Sequence, residues 1–185
     1  MKVCILSDSH DNRFLLAAAA RAAQAQGAKA ILHCGDVVAP TTLRSLIPIG
    51  LPVHVIHGNN TGDLYNMAQL AHDTQNLLHY HGQDAGIELA TRKIFMVHYP
   101  HYAEAMATTG DWDIVCCGHD HRSKIAHIDN IKGTQTLLLN PGTVGGIGAK
   151  PTYILGDLQT LSFSVELVPI EDDLVVNRQP VTPHQ

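Results

Sequence analysis

The chain has 185 residues, 45% of them hydrophobic, and a formal net charge of −5. That is length for one well-buried core and short for two, and the absence of any Lys/Arg cluster excludes a broad electrostatic grip on extended nucleic acid or an anionic membrane. The apolar run that follows Met1 meets an acid at Asp8, too soon for a signal-peptide core or a spanning helix, so the cytoplasm is the expected location.

Residues 2–7 read as a short buried strand, 12–26 as an Ala-rich helix that stops at Gly27, and 28–33 as a second strand, which together make a βαβ unit. A weaker helix is expected over 40–47, with Pro40 suited to its first turn. A third strand is expected over 53–57 and another helix over 62–71. The rhythm changes at Leu77. Short runs at 86–90, 93–97, 114–117, 123–128, 134–139, 152–158 and 162–168 follow one another with few helical patterns between them, apart from 101–108. The expected fold class is therefore α/β (α+β): a two-sheet β-sandwich of mixed strands flanked by helices, parallel in its first half and more antiparallel in its second. One domain is expected over 1–170, with an acid- and proline-bearing surface tail over 171–185.

The four cysteines, Cys4, Cys34, Cys116 and Cys117, sit in or beside apolar runs without metal-knuckle spacing and read as small buried hydrophobes. The 13 histidines say more, by where they cluster. Asp8-x-His10 follows the first strand, Gly35-Asp36 the second and Gly58-Asn59 the third. His98 ends the strand at 93–97, and Gly118-His119-Asp120-His121 follows the strand at 114–117. Loops at the C-terminal ends of α/β strands are where sites assemble. If the backbone stays extended, residues i and i+2 face one side, so Asp8 with His10 and His119 with His121 each address one centre. Gly35, Gly58 and Gly118 leave room beside the candidate ligands. Oxygen and nitrogen donors in this mixture suit Mn²⁺ first, with Ni²⁺, Fe²⁺ and Zn²⁺ as alternatives, and seven side chains are too many for one ion.

In that order these motifs resemble the calcineurin-like metallophosphoesterases, specifically their small bacterial and archaeal phosphodiesterase branch. Asn140-Pro141-Gly142-Thr143 is similar to the Asn-Pro-Gly-Ser turn of the same branch. The resemblance implies that Asp8, His10 and His121 hold one metal, Asn59, His98 and His119 a second, and that Asp36 bridges them. The ions would lie about 3.5–4 Å apart and share a hydroxide that attacks phosphorus. It places Asp36, Asn59, Asn60 and His98 nearest the chemistry, with two divalent ions as cofactors and a small phosphodiester as the partner. A homo-oligomer is left open.

The chain departs from larger family members, which carry Gly-Asn-His-Asp/Glu where this one has Gly58-Asn59-Asn60-Thr61. Asn60 donates a hydrogen bond but is no general acid, and the nearest acid, Asp63, is offset by two residues. That favours small or activated diesters over monoesters. The alternatives are a monoesterase or nucleotidase using the same site, or a non-catalytic protein-binding scaffold, since the retromer scaffold subunit resembles this branch.

Several residues have plainer readings. Asp11 and Asn12 are expected to cap the following helix. His33, His54 and His57 lie in or beside strands and read as partnered core histidines or as supports for the ligands. His101 is a candidate for substrate contact and Arg13 for a phosphate, although an exposed arginine is the commoner case.

Overall fold

The βαβ unit forms as expected and sets the direction of the strands that follow. The computed structural model describes residues 1–170; the tail expected over 171–185 lies outside the described residues. β1 (Lys2–Leu6) and β2 (Ala28–His33) pair in parallel across α1 (Arg13–Ala25). Asn12 caps α1, its side-chain oxygen accepting the Leu15 N–H at 3.2 Å. Leu16, Ala17, Ala19, Ala20 and Ala23 form the buried face of the helix, and small side chains let it lie close on the sheet. The chain then leaves the helix through Gly27 at φ 94°, a left-handed turn that favours glycine.

The helix expected over 40–47 is only a single turn, α2 (Pro40–Leu43), which tightens into a 3₁₀ segment, Arg44–Ile49. Pro48 lies inside that segment, and a proline there removes a donor and crowds the carbonyl four residues back, so an α-helix cannot continue. β3 (Val53–Val55), α3 (Leu64–Asp73) and β4 (Leu78–Tyr80) follow. β4 has no counterpart among the expected strands, because Leu-His-Tyr is too short to display a period. β1, β2, β3 and β4 are parallel neighbours, while β10 (Thr152–Asp157) and β11 (Ser162–Leu167) complete the sheet on the antiparallel side of β1, giving the order β11-β10-β1-β2-β3-β4.

The second sheet has the order β5-β6-β7-β9-β8, formed by β5 (Asp84–Leu89), β6 (Arg92–Val97), β7 (Ile114–Cys116), β8 (Ser123–Asp129) and β9 (Gln135–Pro141). β5–β6 and β8–β9 are antiparallel hairpins, as the short connections suggested. β7, however, pairs in parallel with both β6 and β9, with α4 (Pro100–Thr108) in the crossover from β6 to β7. The second half is thus mixed rather than simply antiparallel.

Alternation along β1 shows how the layers stack. Val3 and Ile5 join Ala30, Leu32, Ile94 and Met96 in the core between the sheets, whereas Cys4 and Leu6 face Leu16, Ala20 and Leu43 under the helices. Cys116 belongs to the core between the sheets and Cys117 to a third cluster with Phe95, Ala103 and Ala107 of the α4 side. All four cysteines are buried and free, and burial pushes the Cys4 and Cys117 thiols far above their ordinary range. Among the described residues no helix is long and apolar enough to cross a membrane. The C-terminal ends of β1, β2, β3, β6 and β7 supply the loops of the candidate site.

Candidate metal centre

All seven candidate ligands follow those strand ends, and five of them do so on left-handed backbone. Asp8, His10, Asp36, His119 and His121 have φ values of 55°, 42°, 55°, 75° and 58°, in the left-handed region that non-glycine residues avoid. Asp8 with His10 and His119 with His121 are therefore brought together by tight left-handed turns, and not by the alternation of an extended chain. Their loops are held by backbone bonds: the Asp8 N–H donates to the Gly35 carbonyl (3.0 Å), the His10 N–H to Asp36 (2.9 Å) and the Gly118 N–H to His98 (3.0 Å). Glycine is required at Gly58, where a Cβ would collide with the Asp36 carboxylate and the His98 ring, and at Gly118, where it would strike Ser7 and Asp8.

Asp8, His10 and His121 bring one donor atom each to within 4.8 Å of one another, and so do Asp8, Asp36 and His98. The tautomers are set by backbone carbonyls. His98 Nδ1 lies 2.8 Å from the Cys34 oxygen and His121 Nδ1 2.8 Å from the Ile147 oxygen; each ring donates there when neutral and turns its Nε2 lone pair inward. His121 Nε2 then faces His10 Nε2 and Asp8 Oδ1, both at 3.2 Å. Asp8 Oδ1 is buried and finds no hydrogen-bond donor, since the nearby His121 nitrogen has none to give. On the other side His98 Nε2 lies 3.0 Å from Asn59 Oδ1 and 3.4 Å from Asp36 Oδ1. Asn59 Oδ1 also meets His119 Nδ1 at 2.8 Å. Acceptor atoms thus converge on two sides of Asp36, and the buried orphan oxygen of Asp8 makes this cluster fit divalent cations.

Asp36 lies between the two groups, with Oδ2 3.7 Å from His10 and Oδ1 directed to His98. Asn60 clamps both of its oxygens, through its backbone N–H (2.8 Å) and its side-chain amide (2.6 Å). Burial works against the Asp36 charge, but the His98 and Asn60 contacts outweigh it and hold the carboxyl well below the usual range. For His98, burial lowers the pKa, and the contacts with Asp36 and the Cys34 carbonyl more than reverse that.

Other residues singled out in the sequence fall outside the cluster. Asp11 does not cap α1; its Oδ1 accepts from the Ala39 N–H and the Thr42 hydroxyl, tying down the start of α2. Asp63 caps α3 and is no substitute acid at the centre. Arg13 lies over the Phe14 ring. His33 meets Ser9, His54 meets His81 and His57 meets Tyr80, so these three are partnered as expected. Asn140 and Thr143 brace the site without being ligands, a role their residue types do not announce. Asn140 Nδ2 donates to the Gly118 carbonyl and to Asp120, and the Thr143 hydroxyl donates to the Asp8 carbonyl. The Asn-Pro-Gly-Thr turn was the available signal.

Residues 1–161 match the model of the calcineurin-like phosphoesterase superfamily domain. The chain belongs to the calcineurin-like phosphoesterase superfamily. This phosphoesterase is 25% identical over 150 residues to a phosphodiesterase of Methanocaldococcus jannaschii, a match covering 79% of this chain and 86% of that protein. Among solved structures it is similar to an archaeal phosphodiesterase at a TM-score of 0.81 and 22% identity, covering 90% of this chain and 99% of the other. It is also similar to vacuolar protein sorting 29 of Cryptosporidium parvum at a TM-score of 0.57 and 19% identity, covering 90% and 95%. The two structural likenesses establish the metallophosphoesterase fold; family membership makes the chain a hydrolase of phosphoesters.

Proposed function

We propose that the chain is a metal-dependent phosphodiesterase for small or activated diesters. The observation that carries this reading is the convergence of buried acceptors around Asp8 and Asp36 with an unpartnered oxygen at Asp8 Oδ1. Asp8, His10 and His121 would hold one ion and Asn59, His98 and His119 the other, with Asp36 shared because its two oxygens face opposite sides. The donor set favours Mn²⁺, with Ni²⁺, Fe²⁺ and Zn²⁺ as alternatives. When bound, such a pair supplies an acidified water as nucleophile and positive charge for the phosphoryl oxygens.

The protein's own residues do the rest. The Cys34 and Ile147 carbonyls fix the inward tautomers of His98 and His121, and Asn60 holds Asp36 in register. Asn60 has no acidic proton and turns toward Asp36, and Thr61 follows it. A leaving group would therefore gain no proton from this position, which favours diesters with stable leaving groups over monoesters.

Hydrolysis of bis(p-nitrophenyl) phosphate with added Mn²⁺ tests the reading. Turnover should vanish with chelator, and Asp36→Ala should lower kcat by more than about 10²-fold, beyond what loss of a supporting contact alone costs. Equal turnover with and without chelator would sink the metal dependence, and faster cleavage of p-nitrophenyl phosphate than of the diester would transfer the site to monoesters. A protein-binding scaffold has no need of a full set of candidate ligands, and the retention of all seven positions here supports the enzymatic reading.

A further inference from the structure

Beside the candidate metal centre, and sharing His98 and Gly58 with it, lies a cavity of about 470 Å³, within the range of about 300–1,000 Å³ that small-molecule sites occupy. Its walls include His57, Gln83, Asp84, Tyr99, His101 and Tyr102. The rings form a continuous series outward from the ligands. Tyr99 packs edge-on against His98 (5.3 Å between centroids) and His119 (5.0 Å), and is tilted against His101 (5.7 Å), which meets Tyr102 at 6.3 Å. His57, also in the lining, is held where its Nδ1 and the Tyr80 hydroxyl meet at 2.6 Å. A larger cavity of about 740 Å³ among Gly86, Trp112 and Lys132 shares no lining residue with the metal centre and has no such connection to the chemistry.

Two features of the lining narrow what enters. Phenol and imidazole rings offer faces for a planar ring to stack on. Asp84 is the one carboxylate in the lining, and neither Lys nor Arg is present, so a second phosphate on the entering group meets repulsion rather than a counter-charge. Asp84 and Gln83 can pair with hydroxyl and N–H donors. We infer that this cavity receives one ester arm of the substrate, and that the arm is an uncharged, ring-bearing, hydroxylated group of the nucleoside type. The inference rests on the phosphodiesterase reading above. The reaction it serves adds water across one P–O bond, releasing an alcohol and a phosphomonoester, with no other reactant.

The test compares thymidine 5′-(p-nitrophenyl phosphate) with methyl p-nitrophenyl phosphate, both with Mn²⁺. The leaving group is the same and only the retained arm differs. The nucleoside arm should raise kcat/KM at least about tenfold, mostly through KM, as one well-placed stacking contact can. Tyr102→Ala, on an exposed position of α4, should shrink that ratio by about fivefold or more. Adding a 3′-phosphate to the thymidine arm should lower kcat/KM. Saturation-transfer NMR of metal-free protein with adenosine should show contact that Tyr102→Ala weakens. A ratio near one that Tyr102→Ala leaves unchanged, with both diesters still cleaved, overturns the cavity's role and spares the phosphodiesterase reading. A preference for the phosphate-bearing arm overturns the uncharged class. Failure to cleave either diester overturns the phosphodiesterase reading, and the cavity's role as a substrate subsite falls with it.

Discussion

Asn140 is not a candidate ligand, yet it braces the loop that carries His119 and His121. Its amide donates to the Gly118 carbonyl at 3.1 Å and to Asp120 at 2.8 Å, and its oxygen accepts from the Gly142 N–H at 3.0 Å. Asn140→Ala removes these contacts at a buried position and should cost about 1–3 kcal/mol of stability. Loosening the His119-x-His121 loop should also weaken Mn²⁺ binding by about 10–100-fold. Urea unfolding and calorimetric Mn²⁺ titration measure the two effects, and unchanged Mn²⁺ affinity would show that the loop holds its shape without this support. At the residue scale the seven candidate ligands were legible because Asp, His and Asn recur after glycine or at strand ends. Their orienting partners were not, because the Cys34 and Ile147 oxygens are backbone atoms that any residue carries. Asp11 was misread for a related reason: two adjacent candidates, Asp11 and Asn12, compete for one cap, and only the path of the following loop decides between them.

At the scale of elements, β3 and β4 set His54 directly opposite His79. Their rings stack at 4.7 Å, and His81, just beyond β4, stacks on His54 from 5.2 Å. Burial, then the neighbouring His79 and His81, lower the His54 pKa to about 4. At the end of β2, burial, with His98 as the next contributor, lowers that of His33 to about 3. A histidine with a depressed folded pKa imposes no penalty above its unfolded value near 6.5; as pH falls from there toward the folded pKa, the unfolded chain takes up protons the native state refuses. Metal-free protein should therefore lose stability between pH 6.5 and 4, by about 1.4 kcal/mol per pH unit for the fully buried His33. The effect of Asp36, whose carboxyl is depressed, falls below pH 4, and the raised His98 pKa acts above 6.5, so neither accounts for that window. Urea unfolding across this range, repeated with His33→Gln, checks the slope; a slope unchanged in the variant would remove His33 as its cause. The strand that carries His79 was invisible in the sequence because three residues show no periodicity. α1 and β2 were plain, since α1 runs long enough for burial to impose a helical period before Gly27 and β2 is a nearly continuous apolar run.

For the molecule as a whole, a two-sheet sandwich with flanking helices could be read from the order of elements. The parallel placement of β7 between β6 and β9 could not, because pairing partners far apart in sequence leave no local mark. The same long-range closure gives the metal centre a kinetic consequence. His10 and His121 are 111 residues apart in the chain, and candidate ligands from both sheets meet at one cluster, so an ion shared between them would close a very long loop. Closing such a loop carries a large entropic cost, one that grows slowly with length and falls late, after both sheets exist to bring the ends together. Interactions absent from the folding transition state change the rate of unfolding and leave the rate of folding nearly untouched. Added Mn²⁺ should accordingly slow unfolding in stopped-flow urea jumps by an order of magnitude or more at saturation while the refolding limb stays in place. Acceleration of refolding would instead mean that the ion gathers its ligands before the sheets form. If unfolding is what slows, bound metal would serve this fold as a latch, and how long the protein stays folded would depend on how long metal stays bound.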